Sequence, residues 1–158
     1  MAINSYLSLK GIKGASQIKA DAIDVLSASF GVSNATSIQV TSQELKSGKA
    51  HLSGISFMKA SDKSSPDLYI YCCTGKMIDE ATLSYLKQDK GGKQQEYLKI
   101  TMDNVYVSSY QISGSGEDMH ESVVIEAAKV KFSYNPEEKG ELKGFIDKTY
   151  DAVKNVEV

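Results

Sequence analysis

Apolar and polar residues alternate with a period of two along much of this chain. In residues 96–118, EYLKITMDNVYVSSYQISGSGED, Leu98, Ile100 and Met102 share one parity, while Val105 and Val107 share the other. A strand sends successive side chains to opposite faces, so the change of parity predicts a bulge near Asp103-Asn104. Bulges bend strands and raise their twist, which is how a sheet turns a barrel corner. Runs rich in Val, Ile, Thr and Tyr predict further strands over 3–10, 23–31, 37–45, 50–59, 81–87, 97–110 and 122–134, and in the C-terminal tail. Many short strands with glycine-bearing turns point to an all-β barrel or sandwich.

One helix interrupts the pattern. Ser64-Ser65-Pro66-Asp67 supplies an N-cap, a proline for the first turn and an acid beside it. Leu68, Tyr71 and Cys72 then share a face, and Gly75 stands where a left-handed terminal residue is wanted. In the tail, Leu142, Phe145, Ile146, Thr149, Tyr150 and Val153 form a helical stripe, so pattern alone predicts helix over 141–148.

Composition narrows the function. The 158 residues suit one domain, 1–158, and a chain of this size buries roughly 70% of its unfolded surface. All 18 basic residues are Lys, scattered among acids, so the bidentate forks that read phosphate and guanine are lacking and nucleic acid is no expected partner. No basic region precedes an apolar run at the N-terminus, and no stretch approaches the ~18 apolar residues of a membrane span. The expectation is a chain that folds in the cytoplasm, inserts in no membrane and, if exported, is moved without a signal peptide.

Candidate chemistry yields to simpler readings. Cys72 and Cys73 are adjacent on the expected helix, where a mutual bridge is strained, and are read as free thiols. His51 and His120 are too far apart in sequence for a zinc motif. Ser113-Gly114-Ser115-Gly116 lacks the Lys and following helix of a phosphate loop and reads as a hairpin, as does Gly91-Gly92. Asp62, Lys63, Asp118 and Glu121 are read as solvated loop charges, and the sequon at Asn34 has no meaning outside a secretory route. The tyrosines are read as packing residues. No catalytic, cofactor or metal site is expected, and the chain is not read as an enzyme. In segment 23–31, Leu26, Ala28 and Phe30 are assigned inward and Ser27, Ser29 and Gly31 outward, a small polar face that in an assembly would line a pore.

At these residues the chain resembles the Hcp (haemolysin-coregulated protein) family, the inner-tube subunit of the bacterial type VI secretion system. The resemblance rests on four blocks in order. They are AINSYLSLKGIKGAS; Ile23-Asp24-Val25-Leu26 with Ser29-Phe30-Gly31; Gly48-Lys49 through Phe57, Lys59 and Asp62-Lys63-Ser64-Ser65-Pro66; and Glu96-Tyr97-Leu98 through Val107-Ser108-Ser109, Gly114, Gly116, Glu121 and Tyr134-x-Pro136. Gly14-Ala15-Ser16 departs from the family's usual Gly-Glu-Ser, and NATSIQVTSQELKS replaces its glycine-rich run. Tyr150-Asp151 and Asn155 match its final strand, with Thr149 in place of Gly, so the tail from Tyr150 is expected to be extended despite the helical stripe.

The resemblance implies a mainly β fold, an antiparallel β-barrel of two sheets with one short flanking α-helix. It implies a homohexameric ring with an open lumen, rings stacked into a tube, and secreted effectors carried and stabilised inside. Sheath, spike and baseplate proteins would be the other partners. Ser27 and Ser29 would face the lumen and contact cargo, while Val32, Ser33, Asn34, Gln43, Glu44 and Lys46 would form a loop reaching a neighbouring ring. The protein would be cytoplasmic before firing and secreted afterwards. Two other readings stay open, a phage-type tail-tube protein and a monomeric barrel holding a small ligand in a cavity of roughly 300–1,000 Å³.

Overall fold

The structure is a computed structural model that describes residues 4–39, 44–139 and 141–158. In chain order its elements are β1 (Ser5–Leu9), β2 (Ile23–Asp24), β3 (Ser27–Gln39), β4 (Glu44–Ala60), α1 (Ser65–Thr74), β5 (Ile78–Gln88), β6 (Gln94–Ser115), β7 (Asp118–Tyr134), β8 (Glu137–Glu138), β9 (Glu141–Leu142), β10 (Ile146–Asp151) and β11 (Val156–Glu157). Pairing runs β2-β1-β5-β6-β7-β4-β3, entirely antiparallel, with β10 and β11 continuing from β7 and with β8–β9 as a separate small hairpin.

The corner between β2 and β3 closes this path into a barrel. Val25 N–H donates to the Ser5 carbonyl (3.1 Å) on β1, and the next N–H, of Leu26, donates to the Met58 carbonyl (2.8 Å) on β4. One residue thus carries the chain from one wall to the other. The crossing also moves the inward parity from Ile23 and Val25 to Ala28 and Phe30. Leu26, expected inside, falls between the two phases and is 42% exposed. Ala28 and Phe30 do pack against the core, and Ser27 and Ser29 do face outward.

The parity change in β6 is real, with Ile100 and Met102 buried on one side of it and Val105 and Val107 on the other. An inserted residue is not its cause. Asp103↔Lys129 and Val105↔Ala127 keep β7 in step, as Glu80↔Asp103 and Ile78↔Val105 keep β5 in step. Instead Asn104 adopts a left-handed φ of 54°, and the neighbouring strands change phase beside it. The register shifts involving β6 lie elsewhere, at Tyr85/Leu86 and Val107/Ser109.

The expected strand over 37–45 is replaced by a long hairpin arm of β3 and β4, paired from Ser27↔Met58 to Gln39↔Glu44. Val32, Ser33 and Asn34 therefore belong to β3, and Glu44 and Lys46 to β4, rather than to a loop; Gln43 lies outside the described residues. Two register shifts coil the arm, one around Gly31 and one around Ala35. At the first, Gly54 has φ 74°, and a Cβ there would sit 2.8 Å from the Ile125 carbonyl, so no other residue fits without strain.

The helix forms where its signals place it. Pro66 opens it, Asp67 stands in the first turn, and Gly75 closes it at φ 68° with its N–H on the Tyr71 carbonyl. Leu68 is wholly buried, a contribution of about 1.5–3 kcal/mol, with Tyr71 and Cys72 beside it. Cys72 and Cys73 are free thiols. The hairpin turn at Gly91-Gly92 is as expected; the one expected over Ser113–Gly116 falls later, at Gly116-Glu117, because Ser113, Gly114 and Ser115 stay paired in β6 with β7.

The tail helix does not form. β10 zips along β7 from Ile146↔Tyr134 to Asp151↔Lys129, and Gly144 (φ 115°) gives its N–H to Asn135 Oδ1 (2.7 Å). Open backbone groups on β7 outbid a stripe whose Phe145 and Ile146 stay 38% and 59% exposed. Tyr150 and Asp151 are extended as the resemblance implies, but residues 152–155 are a turn rather than extended, because Asp151 Oδ1 accepts from Val153 and Lys154 N–H (3.0 Å each) and folds the chain back into β11.

Candidate functional site

Four strands, in the order β3-β4-β7-β6, share one outward face. Their registers align its side chains in rows: Ser27, Met58, Ser122 and Gln111; Ser29, Ser56, Val124 and Ser109; and Ala60, His120 and Ser113. Within these three rows only the His120 imidazole can carry charge, although 24% of the chain is charged; the outward series of β7 reaches carboxylates only at its ends, at Asp118 and Glu126. Six hydroxyls, an amide, an imidazole, a thioether and the side chains of Ala60 and Val124 make a wall on which a passing protein finds weak contacts, polar and apolar, and no strong charge. The pattern of alternation predicted Ser27 and Ser29; it missed the other nine positions because they join the face only through cross-strand register.

Immediately behind this wall lies a buried polar cluster. Lys59 and Glu121 are partners on β4 and β7, both side chains have no solvent exposure, and Lys59 Nζ sits 3.2 Å from Glu121 Oε1. Lys59 Nζ is also 3.1 Å from Asp62 Oδ1 and donates to Ser65 Oγ (3.3 Å), which donates in turn to Glu121 Oε2 (2.5 Å). Asp62 accepts from Ser64 N–H (2.8 Å) and from the Ser64 hydroxyl. The cluster ties the start of α1 to the two central strands of the wall.

The electrostatics follow from this packing. Burial would raise the Glu121 carboxyl, but donation from Ser65 and Ser61 and the Lys59 ammonium outweigh it and hold the group below its ordinary range. Asp62 is likewise lowered, with burial opposed by Ser64 and then by Lys59. Burial first, and the Glu121 carboxylate second, push the Tyr110 phenol up to about 12.

Asp62 and Glu121 are thus not the solvated loop charges expected of them; Lys63 and Asp118 are. The signal was present in the alternation. Lys59 continues the inward series Ile55, Phe57, and Glu121 begins the inward series Val123, Ile125. A lysine and a glutamate each in an inward slot of its own strand ask for each other.

Among the described residues no group of three or more His, Cys, Asp or Glu side chains is placed to hold a metal ion, and no helix is long and apolar enough to cross a membrane. The core is filled by Leu7, Ile23, Phe57, Leu83, Val105 and Ile125 with their neighbours, and the larger hollows open at the surface.

The family described as "Type VI secretion system effector, Hcp" matches residues 6–134. Protein hcp1 of Pseudomonas aeruginosa is 37% identical over 141 residues, which cover 87% of this chain and 86% of that protein. Among solved structures, Hcp1 from Salmonella typhimurium superposes with a TM-score of 0.79 at 28% identity, covering 100% of both chains. A structure of a type six secretion system protein superposes with a TM-score of 0.87 over 99% of this chain and 100% of its own, at 22% identity, a likeness of fold. The chain therefore belongs to the Hcp family of type VI secretion proteins, a family of secreted structural components.

Proposed function

We propose that this chain is the inner-tube subunit of a type VI secretion system: it assembles into homohexameric rings, the rings stack, and their lumen carries and stabilises effector proteins. The observation that carries the reading is the four-strand face without fixed charge, which suits a lumen wall that cargo must touch and then leave. Ser27 and Ser29 contact cargo there, with Ser56, Met58, Gln111 and Ser122 alongside.

Two further features support the ring. The sheet bearing the wall has open edges on both sides, because β5 leaves β6 after Ile78↔Val105 and β1 pairs β2 but not β3. Unpaired edges of different strands are what a head-to-tail ring joins. The chain also exposes 9777 Å², whereas size scaling gives about 7,800 Å² for a compact monomer of 17.2 kDa. The surplus of roughly 2,000 Å² reflects the arm of β3 and β4, which projects from the barrel and offers its flanks to neighbouring copies.

In this reading the partners are further copies, secreted effectors, and the sheath, spike and baseplate. The protein is cytoplasmic before firing and secreted afterwards. Electron microscopy of purified protein tests it: six-fold annuli are expected, and a field of separate barrels would refute the ring. A monomeric ligand-binding barrel fits less well, since the interior is packed with side chains.

A further inference from the structure

Met58 stands near the middle of the outward face that β3, β4, β7 and β6 share. Its register partners are Ser27 on β3 and Ser122 on β7, and Ser56 and Ala60 flank it on the same side of β4. All four neighbours are serine or alanine, too short to enclose a methionine side chain. The thioether therefore rises from a floor of small groups, and the residue is 44% exposed. On the three rows of the wall it is the longest apolar side chain, the others being Ala60 and Val124.

Methionine is unbranched and polarisable, so it moulds to irregular apolar surfaces and accepts variety in what it meets. An exposed methionine is also open to oxidation, which turns a flexible apolar side chain into a polar, chiral one. We infer that Met58 is the wall's apolar anchor for cargo and an oxidation site that releases it. A peroxide or a hypohalous acid converts the thioether to the sulfoxide, and the anchor is lost. The inference rests on the tube reading and deepens it, because it names the residue that sets cargo affinity and the chemistry that changes it.

In that step a lone pair on Met58 Sδ attacks one peroxide oxygen, the S–O bond forms and the O–O bond breaks. The transferred oxygen gives its proton to the departing one, which leaves as water or an alcohol. With a hypohalous acid the oxygen–halogen bond breaks and halide and a proton leave. Sulfur loses an electron pair to the oxidant, and the wall gains a strong acceptor but no charge. The remaining sulfurs of the described residues lie off the wall. Met77 sits between α1 and β5, Met102 is in the core, Met119 is on the inward side of β7, and both cysteines are on α1. Oxidation at Met58 is therefore the sulfur chemistry that cargo would register.

Peroxide treatment of the full chain tests this, with Cys72→Ser and Cys73→Ser as background and a fluorescein-labelled peptide alternating leucine and serine as the probe. Peptide mapping should show Met58 gaining one oxygen well before the buried Met102. Fluorescence anisotropy should show affinity for the probe falling roughly tenfold on oxidation, the scale of one methionine's apolar contact. Met58→Gln, which copies the polarity of the sulfoxide, should bind as weakly before peroxide as the oxidised protein does. Met58→Leu has no sulfur to oxidise at this position, so its affinity should be the same before and after peroxide. The inference is overturned if Met58 stays reduced while Met102 oxidises, if oxidised protein keeps the probe, or if unoxidised rings never bind it. A loss of probe on oxidation in Met58→Leu would move the effect to another residue and overturn it too. Rings that fall apart on oxidation, but not in Met58→Leu, would place Met58 in a subunit contact rather than a cargo contact. Unsubstituted protein that forms no rings in electron microscopy would instead refute the tube reading itself.

Discussion

Lys59 and Glu121 face each other across β4 and β7 with no solvent exposure and 3.2 Å between Nζ and Oε1. The pair is isolated from water by the wall on one side and α1 on the other. Removing one partner of a buried pair leaves an uncompensated charge and costs about 3–5 kcal/mol, whereas replacing both by apolar groups is often neutral. Lys59→Met should therefore lower unfolding free energy by about that amount in chemical denaturation. Lys59→Met with Glu121→Leu should lose less than the sum of the two single losses, by ~1–3 kcal/mol in the double-mutant cycle, with part of the loss remaining because Asp62 is also deprived of the Lys59 ammonium. Additive losses would show that the two do not interact.

The same cluster sets the response to pH. Folded-state carboxyls at Asp62 and Glu121 are lowered, so their contribution is present above the ordinary carboxylate range and disappears as pH falls through the lowered values. Tyr110 is raised to about 12, so its contribution is full below pH about 10, the ordinary phenol value, and declines from there towards about 12. Thermal unfolding against pH should show both flanks. Tyr110→Phe should remove the alkaline flank and, because the Tyr110 hydroxyl also helps hold Glu121 low, soften the acid flank; an alkaline flank that persists in the variant would contradict the assignment.

At Gly54 the backbone φ of 74° and the 2.8 Å approach of a virtual Cβ to the Ile125 carbonyl leave no place for a side chain. Gly54→Ala should cost about 1–3 kcal/mol and disturb the angle at which the arm leaves the barrel. Stability by denaturation and stacking by sedimentation report the two effects separately. An unaffected Tm would mean that the bulge relaxes freely.

Ser29 is outward, exposed and in register with Ser56 and Val124. Ser29→Trp should leave rings intact and abolish effector export, measured by recovery of effector from culture medium. Failure of ring assembly would instead identify the residue as part of a subunit contact.

How much of this was legible in the chain follows from the range of each force. Alternation, caps and turn glycines act over a few residues, so the strands around Phe57 and Val123, helix α1 and both hairpin turns follow directly from sequence. The resemblance added closure and the extended end at Tyr150. What failed depended on distant partners. Leu26 is exposed because the chain changes walls at that residue, and residues 141–148 avoid a helix because β7 offers a free edge. Glu121 is buried because Lys59, 62 positions earlier in sequence, meets it across the sheet. Beyond Ser27 and Ser29, the lumen-type face was not legible for a related reason: its other serines are scattered in sequence and gathered only by register.

The most direct test of the tube-subunit account is the solution mass of the purified protein. Light scattering should give six times the 17.2 kDa of one chain, or multiples of that ring, at moderate concentration. A stable species of 17.2 kDa under the same conditions would contradict it.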